Sequence, residues 1–181
     1  MTTPSTFASL LAIALIGAGC SRPGGAGRPG PEPVASGTFR NAAGERVGVA
    51  TLTDTSGALQ LGVSVAQLAP GPHGLHIHAQ GTCTPPDFAS AGPHFNPDGR
   101  KHGRLNPEGP HAGDLPNLIV GPDGTADTSF AVPTDLAGTG PRSLLQPGGT
   151  ALVIHAGADD ERTDPSGNSG DRVACAEIEP G

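Results

Sequence analysis

Alternating apolar and polar residues run through much of the chain after residue 33, a pattern typical of strands with one buried face. The clearest runs are residues 46–54 (RVGVATLTD) and 58–67 (ALQLGVSVAQ), which are separated by a three-residue link. Two alternating runs joined by so short a link predict a β-hairpin.

A second hairpin is predicted where residues 117–120 and 125–132 flank the turn sequence Gly-Pro-Asp-Gly. Further strands are predicted at residues 34–40, 74–79, 149–155 and 172–178. About eight short strands and no helix predict an all-β fold, namely an eight-stranded antiparallel Greek-key sandwich or flattened barrel with long loops.

The N-terminal residues have a different pattern, with an unbroken apolar run at residues 7–18. This run is too short to cross a bilayer as a helix but has the length of a signal-peptide core, so we expect export. Gly-Ala-Gly-Cys at residues 17–20 resembles a bacterial lipoprotein signal, which predicts lipidation of Cys20 and anchoring in the periplasm or cell envelope. Plain secretion is the alternative, because the first twenty residues contain no Lys or Arg.

Residues 21–33 (SRPGGAGRPGPEP) are rich in Gly and Pro and predict a flexible tether. The predicted organisation is therefore a signal peptide at residues 1–20, a tether at 21–33 and a folded domain at 34–181.

Composition explains part of this picture and excludes one class of partner. The chain has 29 Gly and 20 Pro in 181 residues, but its 35% hydrophobic residues are too many for a wholly disordered chain. Ten Lys and Arg against 17 Asp and Glu give a net charge of −7, so no nucleic-acid partner is expected.

The candidate chemistry lies in histidines. His76 and His78 lie two apart on a predicted strand, so they share one face while Leu75 and Ile77 face the core, and we expect both imidazoles on the opposite surface. His155 ends another apolar strand. A long segment without strand periodicity, between Ala79 and Leu115, adds four more potential ligands: His94, His102, His111 and Asp114. Loops of this length are usually functional.

The donor types indicate metals. Three His and one Asp suit a closed tetrahedral zinc site, which would also order a loop unable to fold by itself. Further His nitrogens without a thiolate suit tetragonal Cu(II). This chemistry predicts two metals but leaves open which histidine binds which metal.

The ordered motifs GPHGLHIHAQG, CTPPDFASAGPHFNPDGRKHG, HAGDLPN, ALVIHAGADD and SGNSGDRVACAEI resemble the copper/zinc superoxide dismutases, over about residues 37–178. The resemblance implies dismutation of superoxide to O₂ and H₂O₂ by a redox-cycling copper with a structural zinc. It implies copper on His76, His78, His94 and His155, and zinc on His94, His102, His111 and Asp114. His94 would bridge the metals and deliver a proton.

The same resemblance implies roles for residues outside the two ligand sets. Asp159 would link His76 to His102, Arg172 would guide the anion beside copper, and Cys83 and Cys175 would form a disulfide. His73 matches a family histidine with a structural role. A disulfide also agrees with export, since it needs an oxidising compartment.

The charge of the last loop separates this chain from eukaryotic members. Residues 156–171 form a stretch shorter than their electrostatic loop, with Arg162 as its only basic residue. The alternative function is a non-catalytic module that stores or delivers copper, which the loss of a copper His or of Arg172 would favour. Superoxide is the expected substrate, membrane contact is expected only through the lipid anchor, and the sequence leaves monomer and homodimer both open.

Overall fold

The computed structural model describes residue 1, residues 32–55 and residues 57–181, and within them it has nine strands. The strands are β1 Pro33–Asn41, β2 Arg46–Asp54, β3 Leu59–Val65, β4 Gly71–His73, β5 Leu75–His78, β6 Leu118–Val120, β7 Ala126–Val132, β8 Thr150–His155 and β9 Arg172–Pro180. Two single-turn 3₁₀ helices lie at Ala89–Ala91 and Thr134–Ala137. In these ranges no helix is long and apolar enough to cross a membrane.

Seven of the strands form one curled antiparallel sheet in the order β5-β8-β9-β1-β2-β3-β7, and β4 pairs with β6 in a small second sheet. The predicted all-β class is confirmed, and the hairpin of β2 and β3 is present. The second predicted hairpin is wrong in its pairing. Its turn exists, with Gly121 N–H donating to Thr125 O at 2.8 Å, but β6 pairs with β4 and β7 pairs with β3. The strands after the turn therefore diverge into different sheets.

Alternation places the core as expected. On β3 the four residues Leu59, Leu61, Val63 and Val65 are buried and lie in the main cluster. Strand β8 is buried along its whole length, because Leu152 and Ile154 face the main cluster while Ala151 and Val153 pack with Phe88, Ala91 and Cys175 in a second one. Loop residues thus cover the outer face of the sheet beside β5 and β8.

The expectation that His76 and His78 stand on an exposed surface is wrong, because these loop residues cover them. The two side chains are 0% and 1% exposed. The long segment runs along β5 like an irregular extra strand. Ile77 N–H donates to Gly113 O at 2.9 Å, and Phe95 N–H donates to Ile77 O at 2.8 Å. The imidazole face is therefore enclosed by the segment that carries the other histidines.

Residues 2–20 of the predicted signal peptide, which include Cys20, and residues 21–31 of the tether lie outside the described residues. The bounds of the three predicted regions stay predictions.

Candidate metal centre

Four buried imidazole nitrogens converge beside β5 and β8 without a hydrogen-bond partner among the described residues: His76 Nδ1, His78 Nε2, His94 Nε2 and His155 Nε2. The ligand atoms of this group all lie within 4.8 Å of one another. Buried polar atoms are almost always paired, so four orphaned nitrogens aimed at one point indicate a cation-binding site. An all-imidazole set suits copper.

The opposite nitrogen of three of these rings donates a hydrogen bond outward. His78 Nδ1 is 2.9 Å from Gly92 O, and His155 Nδ1 is 3.0 Å from Gly170 O. His76 instead uses Nε2, which is 2.7 Å from Asp159 Oδ2. Each bond selects the tautomer whose lone pair points into the cluster, so the rings are oriented for a metal.

A second cluster gathers round one carboxylate oxygen. Asp114 Oδ1 lies 2.9 Å from His94 Nδ1, 3.1 Å from His102 Nδ1 and 3.2 Å from His111 Nδ1. Atoms bound about 2.0 Å from a tetrahedral zinc are about 3.3 Å apart, so this spacing fits a zinc ligand set. His94 belongs to both clusters, presenting Nδ1 to this one and Nε2 to the other.

Backbone groups position the Asp114 carboxylate. Its Oδ2 accepts the N–H groups of Gly103 and His111, both at 2.9 Å, which leaves Oδ1 for the three imidazoles. The segment that carries these ligands has no strand of its own, and its convergence on Oδ1 is what a bound cation would stabilise.

The Asp159 carboxylate links one histidine of each cluster. Its Oδ2 binds His76 Nε2, and its Oδ1 binds His102 Nε2 at 3.0 Å. Asn117 holds the backbone of Asp159 from both sides, because its Nδ2 donates to Asp159 O and its Oδ1 accepts from Asp159 N–H, each at 2.8 Å. The carboxylate is thereby fixed between one ring of each cluster.

Burial and nearby charges set the protonation of the rings in the first cluster. Burial, with His94 close by, lowers the pKa of His78 to about 2. Burial also lowers the pKa of His155 to about 4 and, partly offset by Asp114, that of His94 to about 4. Neutral rings are the form that binds metal, so these three are ready for it at neutral pH.

At the second cluster, hydrogen bonds between carboxylates and histidines outweigh the effect of burial on the pKa values. Burial would lower the pKa of His102, but hydrogen bonds to Asp114 and Asp159 raise it to about 9. Burial would likewise raise the pKa of Asp114, but three histidine hydrogen bonds hold it far below its usual value. The Asp114 carboxylate is therefore ionised and available to neutralise a divalent cation.

A cleft of about 850 Å³ opens over His78, His94 and His155. Among the described residues that line it, Arg172 carries the only full charge, and no Asp, Glu or Lys takes part. Arg172 Nη1 donates to Phe88 O at 2.6 Å and Nη2 to Gly92 O at 2.7 Å. Gly92 O is also the acceptor for His78 Nδ1, so the guanidinium and one ring of the first cluster share an anchor.

The disulfide predicted from the resemblance is present, joining Cys83 in the long segment to Cys175 on β9 across 92 positions. Phe88, which is fully buried, packs in the same small cluster as Cys175. The cross-link and this cluster therefore hold the part of the segment that carries the anchor carbonyls of Arg172.

His73 takes no part in either cluster. Its two ring nitrogens lie 2.7 Å from the carbonyl oxygens of His155 and Ala69, which fits the structural role expected of it.

Sequence reasoning missed Phe88, Asn117 and Gly167. Phe88 adopts φ 53°, which is rare for a non-glycine residue, and no local sequence pattern indicates it. A β-carbon on Gly167 would overlap the Asp159 carboxylate, a contact that no local pattern reveals.

Comparison with known proteins agrees with this geometry. The family model described as copper/zinc superoxide dismutase (SODC) matches residues 46–178. A Cu-Zn superoxide dismutase of Aquifex aeolicus is 46% identical over 140 residues, which are 76% of this chain and 82% of the relative. A Cu-Zn superoxide dismutase of Deinococcus radiodurans is 37% identical over an alignment of 185 residues, which covers 94% of this chain and 93% of the relative.

A solved structure shows the same fold. The crystal structure of a SOD-like protein from Bacillus subtilis matches with a TM-score of 0.73 and 43% identity, covering 78% of this chain and 95% of that chain.

Proposed function

Since this chain belongs to the copper/zinc superoxide dismutase family, we propose that it removes superoxide in the cell envelope with the two clusters as its metal sites. The reaction is the dismutation of superoxide to O₂ and H₂O₂, and the cofactors are copper and zinc. The observation that carries the site assignment is the set of four orphaned imidazole nitrogens beneath the cleft.

We assign each metal by its donor set. Copper takes the all-imidazole cluster of His76, His78, His94 and His155, and zinc takes the cluster that contains a carboxylate, with His94, His102, His111 and Asp114. Copper, when bound, supplies the one-electron chemistry of both half-reactions. The protein supplies anion binding, ring orientation and a proton.

Arg172 is the anion-binding residue in this proposal. A guanidinium has five N–H donors, and the bonds to Phe88 O and Gly92 O engage one on each terminal nitrogen. The remaining donors serve a small anion beside His78 and His155, which line the same cleft. A net charge of −7 does not prevent attraction, because the local field in a cleft with one cation and no carboxylate guides an anion.

His94 is the proton-donating residue in this proposal. Its Nε2 lies in the first cluster beneath the cleft and would carry the proton when it does not bind copper, while Asp114 and the second cluster keep the ring in place through Nδ1. Asp159 keeps His76 and His102 in their tautomers throughout.

The catalytic proposal is tested against copper storage by following the decay of a superoxide pulse with metal-loaded protein and the His155→Ala variant. We expect fast decay with the wild type and decay near the uncatalysed rate with the variant. A protein that holds copper but leaves decay at the uncatalysed rate would be a storage module.

We further propose export and anchoring through lipidated Cys20, on the strength of the apolar run and the Gly-Ala-Gly-Cys sequence. Residues 21–33 would then act as a spacer. Mass analysis of the mature N-terminal peptide tests this, with Cys20→Ala as control. A diacylglycerol-sized mass on Cys20 is expected, and an unmodified N-terminus at another residue would contradict it.

A further inference from the structure

The loop between β7 and β8, residues 133–149, forms one wall of the copper cleft, and we call it the rim loop. Its residues Pro141 and Gln146 line the cleft together with Asn96 and Pro97 of the metal-binding segment. Two leucines, Leu136 and Leu144, are 0% and 2% exposed and fix its base in the main core.

The tip of the rim loop has little else to hold it. Residues 138–141 are exposed and contain two glycines. The hydrogen bonds there stay within the loop, from Gly138 N–H to Asp135 O and from Ser143 N–H to Gly140 O. A stretch with few buried contacts opens at low cost in free energy.

Arg142 connects the rim loop to the metal-binding segment. Its Nη1 forms an ion pair with Asp98 in the metal-binding segment, and its Nε donates to Asp135 Oδ2 at 2.6 Å within the rim loop. Arg142 directly follows the cleft residue Pro141, and Asp98 directly follows the cleft residue Pro97. The ion pair therefore joins two segments that both line the cleft.

We propose that Arg142 is a positioning residue that clamps the rim loop against the metal-binding segment and so limits the size of anions that reach the copper ligands. A small anion such as superoxide or azide passes the clamped mouth, whereas a bulky chelating anion must wait for the rim loop to open. This inference rests on the proposed copper site.

The test uses copper- and zinc-loaded protein at about 0.15 M salt, where surface charges act over about 8 Å. The bulky probe is diethyldithiocarbamate, followed by the rate at which it extracts copper, and the small probe is azide, followed by its dissociation constant. In Arg142→Met we expect extraction about fivefold faster, the effect of losing a modest surface ion-pair network, and an azide constant within about twofold of wild type.

A second variant separates the clamp from simple charge. Arg142→Met makes the protein more negative and Asp98→Asn makes it less negative, so a charge effect on an anionic chelator would move the two extraction rates in opposite directions. The clamp predicts faster extraction in both. Arg46→Met, which removes an arginine from β2 away from the cleft, is the control and is expected to match wild type.

Amide hydrogen exchange gives a readout independent of copper. The Gly138 and Ser143 amides, which bond to Asp135 O and Gly140 O at the tip of the rim loop, should exchange faster in both clamp variants even without metal. Extraction rates equal to wild type in folded variants, opposite shifts in the two variants, or equal shifts for both probes would each overturn the clamp. Wild-type protein that binds no copper would contradict the proposed function instead.

Discussion

Gly167 lies so close to Asp159 that a β-carbon at residue 167 would overlap the carboxylate oxygen Oδ1. That oxygen is the one bonded to His102 Nε2. Gly167 also has φ +63°, a conformation that L side chains rarely adopt. The absence of a side chain at this position is therefore a condition for the link between the two clusters.

Gly167→Ala should displace the Asp159 carboxylate and weaken the orientation of His102. We expect zinc affinity to fall about 10- to 100-fold, as for other changes to groups that orient metal ligands. Competition with a zinc-binding dye measures this. Gly44→Ala is the matched control, because Gly44 has φ +80° but nothing within 4 Å of an added β-carbon. Equal zinc affinity in the two variants would contradict the overlap argument.

The two clusters should separate by mutation. His155 contributes a nitrogen to the first cluster alone, and His111 contributes one to the second alone. We expect His155→Ala to abolish copper binding and activity while zinc largely stays, and His111→Ala to lose zinc while copper stays. Elemental analysis after dialysis measures both, and the reverse pattern would show that the metals are assigned to the wrong clusters.

Arg172→Gln should remove most of the electrostatic attraction at the cleft. We expect kcat/KM to fall by about tenfold or more, the lower end of steering effects, and its dependence on salt to flatten. Pulse radiolysis at several ionic strengths measures both quantities, and Arg162→Gln, on an exposed loop residue that does not line the cleft, should retain the wild-type salt slope. A wild-type salt slope in Arg172→Gln would rule out this residue as the source of attraction.

The metal-free protein should be most stable near pH 7. The pKa values of His78, His94 and His155 are lowered to about 2, about 4 and about 4. Below pH 6.5 the unfolded chain therefore binds protons that the folded chain does not, and the free energy of unfolding decreases as the pH decreases. The pKa of His102 is raised to about 9, so its contribution is complete below 6.5 and is lost as pH rises through 9.

Urea midpoints of chelated protein at about pH 5, 7 and 9 would check this profile. His155→Gln should reduce the loss between about pH 7 and 5, because it removes one ring that resists protonation. A midpoint that rises on acidification from about pH 7 would contradict the assignment of these rings as buried and neutral.

Local pattern was enough for the strand-rich class, because alternation reports which face of a strand is buried, as it does on β3. Local pattern failed where strand pairing depends on residues far apart in the sequence. Strand β6 pairs with β4 across a separation of more than forty residues, and no turn sequence indicates this pairing. It also placed His76 and His78 on a free surface, since periodicity cannot show that residues 94 and 113–114 return to cover β5.

The candidate ligands could be named because their order matches a known family, and the structure brings them into two clusters. Among the residues that support the ligands, Asp159 could be named in the same way, but Asn117 and Phe88 were not predicted. Asn117 acts through hydrogen bonds to the backbone of Asp159, and Phe88 acts through its own carbonyl, so neither function depends on a recognisable motif.

The central claim is that bound copper at the first cluster makes this chain a dismutase, and the most direct test measures metal content and superoxide decay on one preparation. We predict copper and zinc together in the loaded protein, fast decay, loss of decay when copper is chelated, and recovery when copper is returned. Full copper and zinc occupancy with superoxide decay no faster than in buffer would contradict the account.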